Sequence, residues 1–130
     1  MAGSVTVFGG TGFIGHHLVP LLVRSGETVR LAVRQPGRAQ MTTASAQAVE
    51  IIQADVLGDI GVAAAIAGAD AAVNLVGILT ETNTQTYRAI HVEGARRVAL
   101  AAQRHGVMRL IHISALGASA ISRDLGPEKD

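Results

Sequence analysis

Five short runs of apolar and β-branched residues recur along the chain, and each has the length of a buried strand. The predicted strands are Val5–Phe8, Thr28–Val33, Val49–Gln53, Ala71–Val76 and Met108–Ile113. The fourth run is almost continuously apolar, which is typical of a strand covered on both faces. The pattern therefore predicts a sheet that lies inside the molecule.

Segments with a helical period separate these strands, and they are predicted to form helices over Phe13–Ser25, Asp59–Ala67 and Gln85–His105. In the first helix, Pro20 is expected to cause a kink or a local adjustment, because proline lacks the N–H donor. In the second, Asp59 is expected to cap the N-terminus. Gln40–Gln47 is expected to be a weak, short helix or an irregular segment.

The alternation of strands and helices predicts an α/β fold with a doubly wound parallel sheet of about five strands, in the order 3-2-1-4-5. The chain has 130 residues, which is enough for one domain with a real core. We expect residues 1–118 to form this domain. Residues 119–130 are expected to be a polar tail without regular structure.

A glycine-rich stretch joins the first strand to the first helix, and it carries the overlapping spacings Gly9-x-x-Gly12-x-x-Gly15 and Gly10-x-Gly12-x-x-Gly15. Glycine permits a sharp turn, a close approach of the backbone to a pyrophosphate, and close packing of helix on strand. The N-terminus of a helix also favours negative charge. This stretch between a strand and a helix predicts a dinucleotide site, although a plain flexible turn explains the glycines alone equally well.

Arg34 ends the second predicted strand, with Arg38 nearby, where a site that prefers NAD carries an acidic residue for the ribose 2′-hydroxyl. A guanidinium suits a 2′-phosphate instead, because it is permanently charged and bonds a phosphate through two donors. The pattern favours NADP(H), with NAD(H) as the alternative cofactor. The competing interpretation is that both arginines are solvated loop charges.

The other strand ends carry further candidate residues, because ligands bind at the carboxyl edge of such a sheet. Asp55 is a candidate acceptor for the adenine amine, or else a turn residue. Asn74 is a candidate to fix the backbone near the ribose, where Gly77 lets the chain pass closely, or else both form an ordinary turn. Ser114 is a candidate to hold a substrate carbonyl or hydroxyl, or else a strand cap.

Composition and charge exclude several classes of function. The formal net charge is +1, without basic runs interleaved with aromatic residues, which argues against nucleic-acid binding. Cysteine is absent, so disulfides and thiolate metal sites are excluded, and the five histidines lack metal-ligand spacing. No apolar run is long enough for a transmembrane segment, and no signal peptide is apparent. We expect a soluble protein of the cytoplasm.

With these residues identified, the chain resembles the extended or atypical branch of the short-chain dehydrogenase/reductase superfamily, over roughly residues 4–118. The matching stretches are Phe8-Gly-Gly-Thr-Gly-Phe-Ile-Gly15, Gln53-Ala-Asp55-Val56, Val73-Asn74-Leu-Val-Gly77, His91-Val-Glu-Gly94 and His112-Ile-Ser114-Ala. Within that branch it is most similar to the group of NAD-dependent epimerases/dehydratases that includes the NDUFA-nine-type accessory subunit of respiratory complex I.

The resemblance implies a role for each matching segment. The glycine loop and Arg34 would bind NADP(H), Asp55 and Val56 the adenine, and the segment from Asn74 through Val76 to Gly77 the ribose side. Ser114 would occupy the catalytic serine position. The implied loop residues are Gly9, Gly10, Thr11, Gly12, Phe13, Ile14 and Gly15.

The chain departs from this superfamily at the catalytic pair Tyr-x-x-x-Lys. Its one tyrosine is Tyr87, on the last predicted helix, and its one lysine is Lys129. His91 stands where that helix motif often has asparagine. In these reductases the tyrosine acts as general acid and base, so hydride transfer by these 130 residues alone is not expected.

Two functions are consistent with these residues and with the resemblance. The first is the NADP(H)-binding Rossmann domain of an oxidoreductase or epimerase that acts on an unidentified small molecule. The second is a non-catalytic nucleotide-binding accessory protein in a larger, respiratory-type complex, peripheral to the inner membrane. A third hypothesis is a fragment that folds poorly, in which an unpaired edge at the fifth strand favours self-association or aggregation. The expected protein partners are a second copy of the chain, in a homo-oligomer, or a larger complex.

Overall fold

Strands and helices alternate along the chain in the computed structural model, which describes residues 3–36, 49–77 and 81–113. The elements are β1 Ser4–Phe8, α1 Phe13–Arg24, β2 Thr28–Val33, β3 Val49–Gln53, α2 Asp59–Ile66, β4 Ala71–Asn74, a π-helical segment Arg88–Gly94, α3 Ala95–Arg104 and β5 Arg109–His112. The predicted segment Gln40–Gln47, the tail 119–130, Arg38 and Ser114 lie outside the described residues. Within the described ranges, no helix combines the length and hydropathy needed to cross a membrane.

The five strands form one parallel sheet in the order β3-β2-β1-β4-β5, which confirms the predicted topology. β1 lies at the centre, where Val5 pairs with Val29 of β2 and with Ala71 of β4. The order reverses between β2 and β4, on either side of β1, and that reversal opens a crevice at the carboxyl ends of the strands. β5 forms one edge, and all four of its residues are exposed.

The core consists of two layers, one on each face of the sheet, because neighbouring residues of a strand point to opposite faces. On one face, Val7 and Leu31 pack with Val19 of α1. On the other face, Phe8 packs in a cluster with Ile66 of α2 and with α3. Residues of β1 and β2 contribute to both layers, so the central strands are buried between helices as the apolar runs predict. The edge strands differ, because β3 is largely exposed and β5 is fully exposed.

Two predictions differ from the structure because a side chain forms a hydrogen bond that the sequence pattern did not indicate. β4 ends at Asn74 rather than at Val76, since Asn74 Oδ1 accepts a hydrogen bond from the Val76 N–H at 3.1 Å and the chain turns there. The predicted capping role of Asp59 is wrong. Gly58 occupies the cap position of α2, and the Asp59 carboxylate accepts a hydrogen bond from Arg97 instead.

The last predicted helix, Gln85–His105, is helical only from Tyr87 and has two parts. Arg88–Gly94 is π-helical, and Ala95–Arg104 continues as α3. The predicted inward stripe is buried from Ile90 through Gly94 and Val98 to the two alanines that follow, whereas Tyr87 is only half-buried. A π-helical turn is rare, and it often lies beside a functional site.

The C-terminal end of α2 is held by side chains from two strands. The Arg30 Nη1 group donates to the carbonyls of Ala65 at 2.7 Å and Ala67 at 2.8 Å, and the buried Thr6 hydroxyl also donates to the Ala65 carbonyl at 2.7 Å. The Arg30 Nε group pairs with Glu50 at 3.0 Å. Helix ends leave carbonyls without intrahelical partners, so these donors satisfy groups that the helix itself cannot.

We predict that Arg30→Met lowers the free energy of unfolding by about 1–3 kcal/mol, because the partly buried carbonyls of α2 lose a charged donor. Glu50→Gln is the matched control. The Glu50 side chain is 66% exposed, so weakening its ion pair is expected to cost less than about 1 kcal/mol. Urea unfolding followed by circular dichroism measures both variants. Equal losses would assign the stabilisation to the ion pair instead.

Candidate functional site

A cleft of about 280 Å³ lies at the carboxyl edge of the sheet, where the strand order reverses. Its walls come from the ends of β1, β2, β3 and β4, together with the segment that leads into the π-helical turn. These segments are far apart in the sequence, and the parallel sheet brings them together because all its strands end at the same edge. The cleft is therefore the predicted crevice.

The glycine stretch after β1 forms a tight turn closed by backbone groups alone. The Gly12 N–H donates to the Gly9 carbonyl at 3.2 Å, and the His16 N–H donates to the Gly12 carbonyl at 2.8 Å. Gly9 has a φ of +78°, a conformation that residues with a side chain rarely adopt. The sharp turn predicted at this glycine is present.

Gly15 brings α1 against the turn. A Cβ atom built at Gly15 would lie 2.3 Å from the Gly10 carbonyl oxygen and 2.4 Å from its Cα, so no side chain fits between the helix and the turn. Gly12 differs, because the nearest atom to a Cβ there is the Gly9 carbonyl oxygen at 3.5 Å, an ordinary contact. Packing therefore requires glycine at Gly15, whereas it leaves space in front of Gly12.

The N-terminus of α1 lies beside this space, and its own side chains supply no negative charge that would compete with a bound anion. Its cap residue is Gly12, no side chain caps it, and its first turn contains no acidic residue. The first N–H groups of a helix lack intrahelical partners and carry partial positive charge. The turn and the helix together form an arrangement that can bind phosphate oxygens.

The charged side chains that line the cleft are Arg34 at the end of β2 and Asp55 after β3. Arg34 is exposed, and its carbonyl lies 3.5 Å from Gln53 Nε2. Asp55 Oδ1 accepts a hydrogen bond from the Leu57 N–H at 3.0 Å. Asp55 therefore stabilises a turn, which is one of the two roles expected from the sequence. The same carboxylate also lines the cleft.

The opposite end of the cleft is built by the chain after β4. Asn74 is 2% exposed and fixes the turn through its bond to the Val76 N–H, while Val76 and Gly77 line the cleft. The His91 imidazole packs beside Gly77, since a Cβ at Gly77 would lie 3.3 Å from His91 Cε1. The Tyr87 and His91 rings are 6.0 Å apart, so the π-helical turn presents two aromatic rings near this end.

Most of the predicted site residues in the described ranges line the cleft: Gly9, Thr11, Gly12, Arg34, Asp55, Val56, Val76 and Gly77. The others shape it from behind or lie beside it. Gly10, Gly15 and Asn74 are buried, whereas Phe13 and Ile14 are exposed at the start of α1. Contact of any of these residues with a cofactor stays a prediction.

Several cleft residues were not predicted as site residues, and two of them, Gln85 and Ile90, lie away from the strand ends in the sequence. Ile90 belongs to the apolar stripe of its helix, and nothing in the sequence distinguishes a core position from one that also reaches a cleft. Gln85 lies in the polar stretch before that helix. Only the tertiary fold brings either residue to the strand ends.

Comparison with known proteins agrees with this geometry. Residues 9–129 match the model of a family described as NAD(P)H-binding. The chain is 32% identical over 117 residues to the mitochondrial NADH-ubiquinone oxidoreductase 40 kDa subunit of Neurospora crassa, which covers 88% of this chain and 31% of that protein. It is also 32% identical over 122 residues to a 3-beta-hydroxysteroid dehydrogenase of Mycolicibacterium neoaurum, covering 85% of this chain and 31% of that protein.

Solved structures give the same assignment. A short-chain dehydrogenase/reductase superfamily protein from Agrobacterium tumefaciens, solved with bound NAD, is similar with a TM-score of 0.71 at 26% identity, covering 86% of this chain and 32% of that chain. The predicted resemblance to this superfamily is therefore confirmed. The chain spans about a third of the length of the curated relatives it matches.

We predict that Gly15→Ala lowers the free energy of unfolding by about 3 kcal/mol, because the new methyl group overlaps the backbone of Gly10. Gly12→Ala is the control within the same motif. Its methyl group meets only ordinary contacts, so the expected loss is at most about 1 kcal/mol, the cost of alanine at a helix N-cap. Denaturant unfolding tests both, and equal stability of the two variants would contradict the close approach at Gly15.

Proposed function

The chain belongs to the NAD(P)H-binding family whose model matches residues 9–129, and on that premise we propose that its cleft binds NADP(H) in preference to NAD(H). The observation that carries this proposal is Arg34, a cleft-lining cation at the end of β2. An acidic residue at that strand end would accept hydrogen bonds from a ribose 2′-hydroxyl, and it would repel a 2′-phosphate. Arg34 attracts the phosphate instead.

The pyrophosphate is proposed to bind at the turn formed by Gly9, Gly10, Thr11 and Gly12. The uncapped N-terminus of α1 supports this placement, because its N–H groups are available to phosphate oxygens. Open space in front of Gly12 allows a phosphate to approach the backbone. Phe13 and Ile14 are proposed to flank the cofactor at the start of α1, and Gly15 holds the helix close to the turn.

The adenine is proposed to lie against Asp55 and Val56. The Asp55 carboxylate already accepts one bond from Leu57, and its other oxygen remains as an acceptor for the adenine amine. The ribose and the nicotinamide are proposed to lie along the chain from Asn74 through Val76 to Gly77. Arg38 is proposed as a second cation for the 2′-phosphate.

For the whole protein, we propose an oxidoreductase or epimerase that acts on a carbonyl or hydroxyl group of a small molecule. Similarity to a protein named 3-beta-hydroxysteroid dehydrogenase supports this class of reaction. Ser114 is proposed to hold the reacting oxygen. The tyrosine and lysine that move the proton in such reductases have no counterpart among the 130 residues. We propose that the protein acts in the cytoplasm.

A second candidate function is a nucleotide-binding accessory subunit of a larger respiratory-type complex, peripheral to the inner membrane. The similarity to a protein named NADH-ubiquinone oxidoreductase 40 kDa subunit favours it. A reading frame that continues into a Tyr-x-x-x-Lys pair would favour the oxidoreductase. Co-purification of the protein with a membrane-bound respiratory complex, together with bound nucleotide that stays unreacted, would favour the accessory function.

We predict that Arg34→Ala raises the dissociation constant for NADPH by about ten- to hundredfold, because a charge-assisted contact to the 2′-phosphate is lost. The dissociation constant for NADH is expected to change less than about twofold, since NADH lacks that phosphate. Calorimetric titration of both nucleotides into the 130-residue chain measures the difference.

Arg104→Ala is the control for this titration, because it removes one exposed arginine from the far end of α3. It is expected to leave both affinities unchanged. Tighter binding of NADH than of NADPH by the parent chain would refute the NADP(H) preference while leaving the dinucleotide site intact. Equal weakening of both nucleotides by Arg34→Ala would assign this side chain a role other than phosphate selection.

A further inference from the structure

The turn after β3 is held from behind by α3, whose residues do not line the cleft. Asp55 and Val56 face the cleft, and the turn has two bonds of its own: Leu57 N–H to Asp55 Oδ1 at 3.0 Å and Gly58 N–H to the Asp55 carbonyl at 2.9 Å. The Val56 carbonyl takes part in neither bond. It accepts its hydrogen bond from Arg97 Nη1.

Gly94 allows this contact to form. A Cβ atom at Gly94 would lie 2.9 Å from Val56 Cγ2 and 3.1 Å from Val56 Cβ, so the helix approaches the turn as closely as a glycine permits. Arg97 follows three residues later on the same side of the helix. From there its side chain reaches the Val56 carbonyl oxygen, so Gly94 and Arg97 together hold the turn in place.

Arg97 also donates through Nε to Asp59 Oδ1, at the start of α2. The two bonds differ in their surroundings, because the Asp59 side chain is 86% exposed whereas the bond to the Val56 carbonyl is partly buried. Exposed ion pairs contribute little to stability. The contact that fixes the turn is therefore the one to the Val56 carbonyl.

We propose that Arg97 is a positioning residue for the adenine end of the cleft, an inference that rests on the proposed nucleotide-binding function. Arg97 does not line the cleft, and it acts through Val56 and, along the chain, through Asp55. The planar guanidinium directs separate N–H groups at a carbonyl and a carboxylate together, which an ammonium group cannot reproduce. A turn fixed before binding lowers the cost of ordering it around the adenine.

The test uses Arg97→Met in the 130-residue chain, titrated with NADPH and with adenosine 2′,5′-bisphosphate, which carries the adenine half alone. Both dissociation constants are expected to rise by the same factor, about tenfold, because the loss lies wholly in the adenine half. A general loosening of the fold would weaken NADPH more than the bisphosphate. Arg97→Lys, which keeps the charge and one donor group, is expected to give an intermediate loss.

Two control variants separate the contacts. Asp59→Asn weakens the exposed ion pair and keeps the bond from Arg97 to the Val56 carbonyl, so the affinity for the bisphosphate is expected to stay within about twofold of the parent. Arg96→Met removes the neighbouring exposed cation and is expected to do the same. A loss in Asp59→Asn as large as that in Arg97→Met would overturn the role of the Val56 carbonyl.

Two further outcomes separate this inference from the proposed function. If the parent chain binds neither NADPH nor the bisphosphate, the proposed function fails, and the positioning role fails with it. If the parent binds both and the Arg97 variants bind equally well, only the positioning role is overturned. Should Arg97→Met not fold, Arg97→Lys decides alone, because unchanged affinity in that variant would refute the inference.

Discussion

The contact between Gly15 and the backbone of Gly10 is the constraint on which the rest of the site depends. Because no Cβ atom separates them, α1 begins directly behind the turn that leaves the central strand, and its first N–H groups point to the edge where four other segments meet. With a larger residue the helix would have to move away from the turn. The space in front of Gly12 would then lose the donors that make it suitable for phosphate. Packing inside the protein thus determines the geometry of the surface that is proposed to bind phosphate.

The strand order of the sheet could be predicted from the sequence, because alternating strands and helices with short connections allow few arrangements. What could not be predicted arises from individual side-chain hydrogen bonds, some local and some between distant parts of the chain. Asn74 ends β4 early by accepting a bond from Val76, and Asp59 faces Arg97, 38 residues away, instead of capping its own helix. The π-helical turn was also missed. A π-helical turn contains about one residue more than an α-helical turn. In a segment of 7 residues this difference does not change the apolar pattern enough to be recognised in the sequence.

The residues of the cleft likewise include some that could be predicted from the sequence and some that could not. Residues at strand ends, such as Arg34 and Asp55, could be predicted because the parallel sheet places every strand end at one edge. Gln85 and Ile90 could not, since they reach the cleft from the segment before α3, whose position depends on tertiary packing. The role of Arg97 is even harder to predict from the sequence. Its contact with Val56 requires the close approach of Gly94, which exists only in the folded chain. Sequence patterns identify residues that face a ligand more readily than residues that support them.

Charged residues are concentrated at one end of the cleft, which favours different binding roles for its two ends. The β2 and β3 side carries Arg34 and Asp55, whereas the β4 side is formed by Val76 and Gly77, with the rings of His91 and Tyr87 nearby. A permanent cation and a carboxylate suit a phosphorylated ribose and an adenine amine, which differ in charge and in hydrogen-bonding pattern. The β4 side offers backbone and apolar surface from Val76, Gly77 and Ile90. Under the proposed function, the end with fixed charges would select which dinucleotide binds, while the other end would leave room for a reacting partner.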